Sequence, residues 1–234
     1  MIDYNEINNL AFNALNGVVY RGPFEGMRMG RWQPWNDGNL GPKLFGTYEM
    51  YLRPWLYKAA DKHPPRIINV GIAEGYYAVG MARLCPDAEI IAMDIDPYCL
   101  MVTAENAKMN NVSVRCASVE EATPGVLNAF IEPKTLIIMD VEGYELKYLD
   151  PDMVPNLIHA DVIVECHNFL AANVTEIITQ RLKRTHALSI LKNPKPYPAF
   201  GRFRNFTDAQ YKAVVTEVRN NDSTNFIYAV ALNA

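Results

Sequence analysis

The sequence has little of what marks a membrane or exported protein. No apolar run reaches the roughly 18 residues that a membrane-spanning helix needs. The first residues lack the basic stretch and the apolar core of a secretory signal. The four cysteines stand too far apart for a zinc clamp or a dense disulfide framework: Cys85, Cys99, Cys116 and Cys166. We therefore expect reduced thiols, no membrane contact and a cytoplasmic location.

An excess of basic residues is also missing. The chain has 22 Lys and Arg against 26 Asp and Glu, for a net charge of −4, whereas duplex-binding domains are usually strongly basic. We therefore do not expect nucleic acid as the main partner. Of the 234 residues, 50% are hydrophobic and 21% are charged, which excludes a disordered or fibrous chain.

The first 62 residues differ in composition from the rest. Seven of the 13 glycines lie between Gly17 and Gly46, and all three tryptophans fall within this part of the chain. Because this density of Gly and Pro opposes regular structure, we predict an ordered but irregular segment over 17–45. A helix is predicted over 48–61, ending before two prolines.

From residue 66 onward, short apolar strands alternate with helices. Apolar runs predict strands over 66–70, 89–93, 112–116, 135–139, 161–165, 187–191 and 225–232. Helical segments are predicted over 76–84, 97–109, 119–130, 144–157, 175–184 and 207–219. This alternation predicts a doubly wound α/β fold, with helices on both faces of a mostly parallel sheet.

In such a fold, the residues that follow the strands bind ligands. Gly71 permits a tight turn after the first strand, and Gly75 opens the next helix and lets backbone approach a ligand. The spacing is G-x-x-x-G rather than the G-x-G-x-x-G of dinucleotide-binding folds, and a plain strand-to-helix turn is the alternative. Asp94 can bind both hydroxyls of an adenosine ribose, or it is a solvated loop carboxylate. Asp96 is predicted to cap the following helix.

Acidic residues and one histidine follow the fourth and fifth strands. Asp140, Glu142 and Glu145 come directly after a very apolar strand, and a partly desolvated carboxylate there can bind a substrate group or accept its proton. Glu165 and His167 are two residues apart, so both point to one side of an extended chain. We predict that Asp140 and His167 flank one site. The alternative for His167 is a purely structural role.

Four segments together resemble the FkbM-type S-adenosylmethionine-dependent methyltransferases: residues 69–77, 92–97, 140–145 and 165–167. The string Asp-Val-Glu-Gly-Tyr-Glu at 140–145 is the most specific match. The resemblance implies a Rossmann-like class I methyltransferase fold, with a seven-stranded, mostly parallel sheet whose last strand is reversed. It also implies S-adenosylmethionine as the cofactor and residues 63–234 as the domain that binds it. The family usually has an acid where this chain has Asn69.

The resemblance also implies roles for individual residues. Asp94 would bind the ribose of the cofactor, and Asp140 would face the transferred methyl group. The residues implied to bind the cofactor are Asn69, Gly71, Glu74, Gly75, Tyr76, Asp94, Ile95, Ser118, Val119 and Asp140. The residues implied to be catalytic are Asp140, Glu142 and His167, of which Asp140 or His167 would take the proton from an attacking hydroxyl.

A metal ion is a separate hypothesis. Asp140, His167 and Asn168 offer two oxygens and an imidazole at neighbouring strand ends. This arrangement is similar to that of the catechol-type methyltransferases, which place acid and amide ligands for a divalent ion at those strands.

Two segments are expected to cover the active site. The leader, residues 1–62, and the loop 193–206 carry arginine, aromatic residues and proline, so we interpret them as a lid. Five arginines could then bind an anionic group of the substrate: Arg21, Arg28, Arg31, Arg202 and Arg204. The alternative is that Trp32, Trp35 and Tyr197 merely cover apolar surface and that the arginines are solvated charges.

We therefore expect an S-adenosylmethionine-dependent methyltransferase that acts on the hydroxyl of a sugar or another small molecule, with a homodimer as one possible assembly. Three alternatives stay open. One is N-methylation of a peptide or a base. A second is an NAD-dependent oxidoreductase, which the missing G-x-G-x-x-G disfavours. The third is a binding module that keeps a cofactor pocket without catalysis.

Overall fold

The computed structural model describes residues 4–32, 34, 39–195, 203, 206–218 and 224–233. Within these ranges the chain forms one seven-stranded sheet with helices on both sides. The strands are β1 Arg66–Val70, β2 Glu89–Met93, β3 Arg115–Cys116, β4 Thr135–Met139, β5 Ala160–His167, β6 His186–Lys192 and β7 Thr224–Ala231. The α-helices are α1 Tyr4–Leu15, α2 Leu40–Phe45, α3 Arg53–Ala60, α4 Tyr76–Leu84, α5 Pro97–Met109, α6 Pro124–Phe130, α7 Glu145–Tyr148, α8 Val174–Leu182 and α9 Asp208–Val215. None of the described helices is long and apolar enough to cross a membrane.

The strand order places the carboxyl ends of the central strands side by side. The order is β3-β2-β1-β4-β5-β7-β6, in which the first five strands are parallel and β7 runs antiparallel to both of its neighbours. The chain order reverses between β1 and β4, which opens a crevice at the carboxyl ends of these strands. The predicted fold class, including the reversed last strand, is confirmed.

Alternate residues of the strands pack into two cores on opposite faces of the sheet. Ile67 and Ile138 point to one face, whereas Ile68 and Ile137 point to the other, as the period of two along a strand requires. The first core also contains Phe24 and other apolar residues of the leader, packed with α4, α5 and α9. The leader is therefore part of one hydrophobic core together with the sheet.

Several predicted bounds are wrong, mostly away from the central strands. The predicted irregular segment 17–45 contains α2, and α1 was not predicted. The strand expected over 112–116 contains only Arg115–Cys116. The stretch 119–130, which was predicted to be partly helical, is a 3₁₀ turn, Val119–Glu121, followed by α6, in agreement with that prediction. The helix expected over 48–61 likewise splits into a 3₁₀ turn, Met50–Leu52, and α3. In α2 the sequence Gly-Pro opposes a helix, but a Cβ at Gly41 would lie 2.7 Å from the carbonyl oxygen of Val214, so close packing against α9 explains the glycine.

Candidate active site

A cavity of about 680 Å³ lies at the carboxyl ends of β1, β2, β4 and β5. Its floor and one wall come from the residues that follow these strands, among them Gly71, Asp94, Asp140 and His167. Further lining comes from Lys43 and other residues of the leader, from Glu217 and Val218 after α9, and from Thr224 at the start of β7. The structure thus brings together residues that are up to 185 positions apart in the sequence, as between Asn39 and Thr224.

Gly71 joins two of the loops that form the cavity. Its φ is +74°, and a Cβ there would lie 1.6 Å from the carbonyl oxygen of Asp140. The N–H of Asp140 in turn donates to the carbonyl of Val70 at 3.0 Å. A side chain at position 71 would therefore force the loop after β4 away from the end of β1.

Asp94 is a buried carboxylate on the cavity wall. Its Oδ2 accepts the backbone N–H of Ile72 at 2.9 Å, and its Oδ1 accepts the N–H of Asp96 at 2.9 Å. Each carboxylate oxygen can accept a further hydrogen bond, so the group is fixed in orientation but still able to bind a ligand. Ile95, beside it, is 65% exposed and also lines the cavity. Asp96 accepts the N–H of Tyr98 and caps α5, as predicted.

Six of the residues implied to bind the cofactor do not line the cavity: Asn69, Glu74, Gly75, Tyr76, Ser118 and Val119. Gly75 is the N-cap of α4, where the side chain of Thr103 fills the space that a Cβ would need. Glu74 forms a buried ion pair with Lys43, with 2.6 Å between Oε1 and Nζ. These two residues therefore have packing and ion-pair contacts of their own outside the cavity lining, and their contact with a cofactor stays a prediction.

The remaining four have structural contacts of their own. Tyr76 is buried, with its ring edge-on to Phe24 at a centroid distance of 5.1 Å. The amide of Asn69 donates to the carbonyl of Ile138 at 3.2 Å, across the sheet. Ser118 begins the 3₁₀ turn that includes Val119, where its N–H donates to a side-chain oxygen of Glu121. None of these contacts points toward the cavity, although Ala122, just after the turn, lines it.

His167 lies at the cavity floor among four carboxylates. Its Nδ1 is 2.5 Å from Oε1 of Glu145, which is fully buried. Its Nε2 is 3.5 Å from Oδ1 of Asp140, 3.4 Å from Oε2 of Glu142 and 3.8 Å from Oε1 of Glu165. The prediction that Asp140 and His167 flank one site therefore agrees with the geometry, and Glu165 shares that site.

The neighbouring carboxylates shift the pKa values of His167 and Asp140. Burial alone lowers the pKa of His167, but the hydrogen bond with Glu145 and the charges of Asp140 and Glu165 outweigh it and raise that pKa to about 9. Burial, and then the charge of Glu165, raise the pKa of Asp140 well above its ordinary value. A site of this kind can bind a cation or exchange a proton with a bound molecule.

Sequence reasoning assigned one residue of this site wrongly and missed others. The amide of Asn168 donates to Oγ1 of Thr175 at 2.8 Å, and its oxygen accepts the N–H of Thr175, so it is directed toward α8 rather than toward Asp140. Glu165 stands in its place beside His167. The buried partner Glu145 lies in the quoted 140–145 string, but the string alone does not show which of its acids meets His167.

The leader supplies residues to the cavity that its composition did not predict. Asn39, Lys43 and Tyr48 line the cavity. In contrast, Arg21 donates to the carbonyl of Phe45, and Arg31 donates to the side chains of two asparagines of α1. Neither arginine lines the cavity, nor does Arg28. Four residues named in the lid hypothesis lie outside the described ranges: Trp35, Tyr197, Arg202 and Arg204.

Comparison with known proteins relates the chain to methyltransferases. No family model matches it. It is 31% identical over 88 residues to the release factor glutamine methyltransferase of Bordetella pertussis, covering 38% of this chain and 32% of that protein. It is also 31% identical over 98 residues to the ribosomal protein L11 methyltransferase of Brucella suis, covering 41% of this chain and 34% of that protein. The chain thus matches about a third of the length of these relatives.

Solved structures show the same fold at low sequence identity. The METTL16 MTase domain aligns with 99% of this chain and 81% of its own, at a TM-score of 0.58 and 11% identity. A human methyltransferase 10 domain containing protein aligns with 99% of this chain and 98% of its own, at a TM-score of 0.53 and 12% identity. The O-methyltransferase TomG from Streptomyces achromogenes, in complex with SAM, aligns with 99% of this chain and 91% of its own, at a TM-score of 0.52 and 10% identity. The fold is therefore that of the class I S-adenosylmethionine-dependent methyltransferases.

Proposed function

We propose that this chain is an S-adenosylmethionine-dependent methyltransferase of the FkbM type, and that it methylates a hydroxyl group of a sugar or another small molecule in the cytoplasm. The observation that carries the proposal is Asp94, a buried carboxylate fixed by two backbone N–H groups on the wall of the cavity at the end of β2. In folds of this class, an acid at that place binds the ribose hydroxyls of an adenosine ligand. The methyltransferase relatives and the shared fold support the same assignment.

The cavity wall fits a nucleoside ligand in two further respects. Gly71 lets the loop after β4 lie against the end of β1, because a Cβ there would overlap the carbonyl of Asp140, and this close approach brings Asp140 to the cavity wall. Ile95 offers an exposed apolar surface beside Asp94, against which part of a ligand can pack. We propose that Gly71, Asp94, Ile95 and Asp140 contact the cofactor directly. Glu74, Gly75 and Tyr76 act indirectly, by fixing the turn that precedes and opens α4.

The floor residues would carry out the proton transfer. S-adenosylmethionine, when bound, would supply an electrophilic methyl group, and the residues of this chain would hold the acceptor hydroxyl beside it. The hydroxyl proton would then pass to the group formed by Asp140, Glu142 and His167, in which His167 accepts it only in the neutral form, whose fraction rises as the pH approaches its pKa of about 9. Asp140 and His167 face the cavity, and Glu145 fixes the orientation of the His167 ring. The carboxylates also favour a cationic ligand electrostatically.

The leader would close the acceptor side of the site. Lys43 and Tyr48 line the cavity from the leader, and part of the leader is packed into the core of the sheet. We propose that this segment excludes water from the site and shapes the space for the acceptor. This cover is fixed in place by packing and does not require the arginines of the first hypothesis.

A second candidate is methylation of a protein on nitrogen. The two curated relatives are named for a release factor and for ribosomal protein L11, so their names place the methyl group on proteins. A nitrogen acceptor needs no strong base. His167→Ala would therefore leave the rate on a nitrogen acceptor nearly unchanged, whereas it would lower the rate on a hydroxyl by about 10²–10⁴-fold.

The first experiment is a calorimetric titration of the purified protein with S-adenosylmethionine, S-adenosylhomocysteine and NAD. We expect binding of the two sulfur compounds and none of NAD. Binding of NAD alone would indicate an oxidoreductase. Binding of S-adenosylmethionine without methyl transfer to any hydroxyl or amine in an acceptor screen would indicate a binding module. Sedimentation of the same sample tests the proposed homodimer.

A further inference from the structure

We propose that Asp140, Glu165 and His167 together bind a divalent transition-metal ion at the floor of the cavity. One donor atom from each residue, two carboxylate oxygens and the imidazole Nε2, lies within 4.8 Å of the other two. Asp140 follows β4 and the other two residues belong to β5, so the neighbouring strands hold all three donors in fixed positions.

The separations suit a shared ion better than direct hydrogen bonds. Nε2 of His167 is 3.5 Å from the nearer oxygen of Asp140 and 3.8 Å from that of Glu165. Both distances exceed the range of about 2.7–3.2 Å for N–H···O bonds. Two ligands bound at about 2.1 Å from one ion in tetrahedral geometry lie about 3.4 Å apart, close to the distances found.

A second observation concerns the orientation of the histidine. The side chain of His167 is 4% exposed, and its only hydrogen bond joins Nδ1 to Glu145, at 2.5 Å. Nε2 thereby faces carboxylate oxygens of Asp140, Glu142 and Glu165 at 3.4–3.8 Å and makes no hydrogen bond among the described residues. Histidines that bind metals almost always place the other ring nitrogen on a carboxylate or carbonyl in this way.

Two carboxylate oxygens of the same cluster that accept no hydrogen bond also favour a bound ion. Oδ1 of Asp140 and Oε2 of Glu145 are buried and accept no hydrogen bond within the described part of the chain. Buried carboxylate oxygens without a partner are costly. An ion beside Asp140 would compensate the charge of that carboxylate directly and the charge of Glu145 through His167.

The donor set selects the class of ion. One imidazole nitrogen and two carboxylate oxygens suit Mn²⁺, Fe²⁺ or Zn²⁺ better than Mg²⁺ or Ca²⁺, which prefer oxygen ligands alone. Three protein donors leave at least one position of the ion open toward the cavity. If the proposed methyltransferase function is correct, that position would take the acceptor oxygen and lower its pKa, and Glu142, which lies beside the site without being one of the three ligands, would receive the proton while Nε2 of His167 binds the ion. The ion site itself does not depend on that function.

The test measures binding of Mn²⁺ by electron paramagnetic resonance, and of Zn²⁺ by calorimetry, after dialysis of the protein against a chelator. We expect one ion per chain. Glu165→Gln should weaken its binding at least tenfold, and Glu145→Gln should weaken it by about 10–100-fold through loss of the histidine's partner. Glu217→Gln is the matched control, because it removes another buried carboxylate of the cavity and should leave ion binding unchanged.

Either of two results would overturn the ion site: no binding by the wild-type protein, or binding that Glu165→Gln leaves unaltered. If Glu165→Gln does not fold, as judged by circular dichroism, Asp140→Asn takes its place with the same expectation. Titration of each sample with S-adenosylhomocysteine separates the two proposals. Wild-type protein that binds S-adenosylhomocysteine but no ion contradicts this inference, whereas wild-type protein that binds the ion but no S-adenosylhomocysteine contradicts the proposed function.

Discussion

Asp94→Asn separates a ligand-binding role of this residue from a purely structural one. The carboxylate accepts two backbone N–H groups, from Ile72 and Asp96, each at 2.9 Å. In asparagine one oxygen is replaced by an NH₂ group, which cannot accept a hydrogen bond. One of the two backbone donors therefore loses its partner, whichever way the amide is oriented.

The structural part of the effect follows from that lost partner. A buried donor left unsatisfied costs about 1–3 kcal/mol. For a domain of this size, each kcal/mol lowers the melting temperature by about 2–4 °C, so we expect a decrease of about 2–12 °C. The protein should remain folded at 25 °C, because stabilities of about 5–15 kcal/mol are typical.

The binding part adds to this effect only if Asp94 contacts the ligand. Hydrogen bonds to a charged group contribute about 1.5–3 kcal/mol, so the loss of one ribose contact weakens binding by about 10–150-fold. Calorimetric titration of wild-type and Asp94→Asn protein with S-adenosylhomocysteine at 15 °C measures the loss of affinity. Thermal unfolding of the same samples measures the change in melting temperature. A lower melting temperature with unchanged affinity would refute the assignment of Asp94 to the ribose.

Two further predictions concern the packing behind the cavity. Gly71→Ala should destabilise the fold by about 2–6 kcal/mol in urea unfolding and abolish S-adenosylhomocysteine binding, because a positive φ and an overlap with the Asp140 carbonyl each cost about 1–3 kcal/mol. Gly125→Ala is the control, since nothing lies within 4 Å of a Cβ there. It should leave the free energy of unfolding unchanged or raise it by up to about 1 kcal/mol. Lys43→Met should lower the free energy of unfolding by about 3–5 kcal/mol, because it leaves the buried charge of Glu74 unpaired. Adding Glu74→Leu should restore most of that loss. Equal stability of the single and the double variant would contradict this reasoning.

The central sheet could be predicted from the sequence because its signals are local. The bounds of β1, β2 and β4 agree with the prediction residue for residue. Each has three or four apolar residues among its five and is followed directly by glycine or aspartate. Parallel strands buried on both faces need such runs, so no knowledge of their neighbours is required to find them. Once these strands are found, the fold alone predicts that the acids after β2 and β4 lie at the ligand-binding edge of the sheet.

The remaining part of the site depends on contacts between distant segments. Nothing near Lys43 in the sequence indicates that it pairs with Glu74, and the Gly-Pro within α2 argues against a helix there. Likewise, the metal hypothesis names Asn168 and not Glu165, because an acid and an amide are the ligands of the catechol-type methyltransferases at these strand ends. The strand extends to His167, and the chain then turns so that Asn168 faces Thr175. Local patterns cannot specify where a strand stops to this precision.

The two walls of the cavity have different origins, and this difference bears on the choice of acceptor. The wall formed by the strand ends follows from the fold, since any chain with this sheet places residues there. The other wall joins the leader to the segment before β7. Asn39 exchanges two hydrogen bonds with the backbone of Val218, at 2.7 and 3.3 Å, and Thr47 donates to the carbonyl of Val215 at 2.7 Å. Because these bonds tie the two segments to each other, a substitution in either one shifts the surface that faces the acceptor while leaving the side chain of Asp94 in place. Discrimination among acceptors should therefore depend on the joined wall, and affinity for the cofactor on the strand ends.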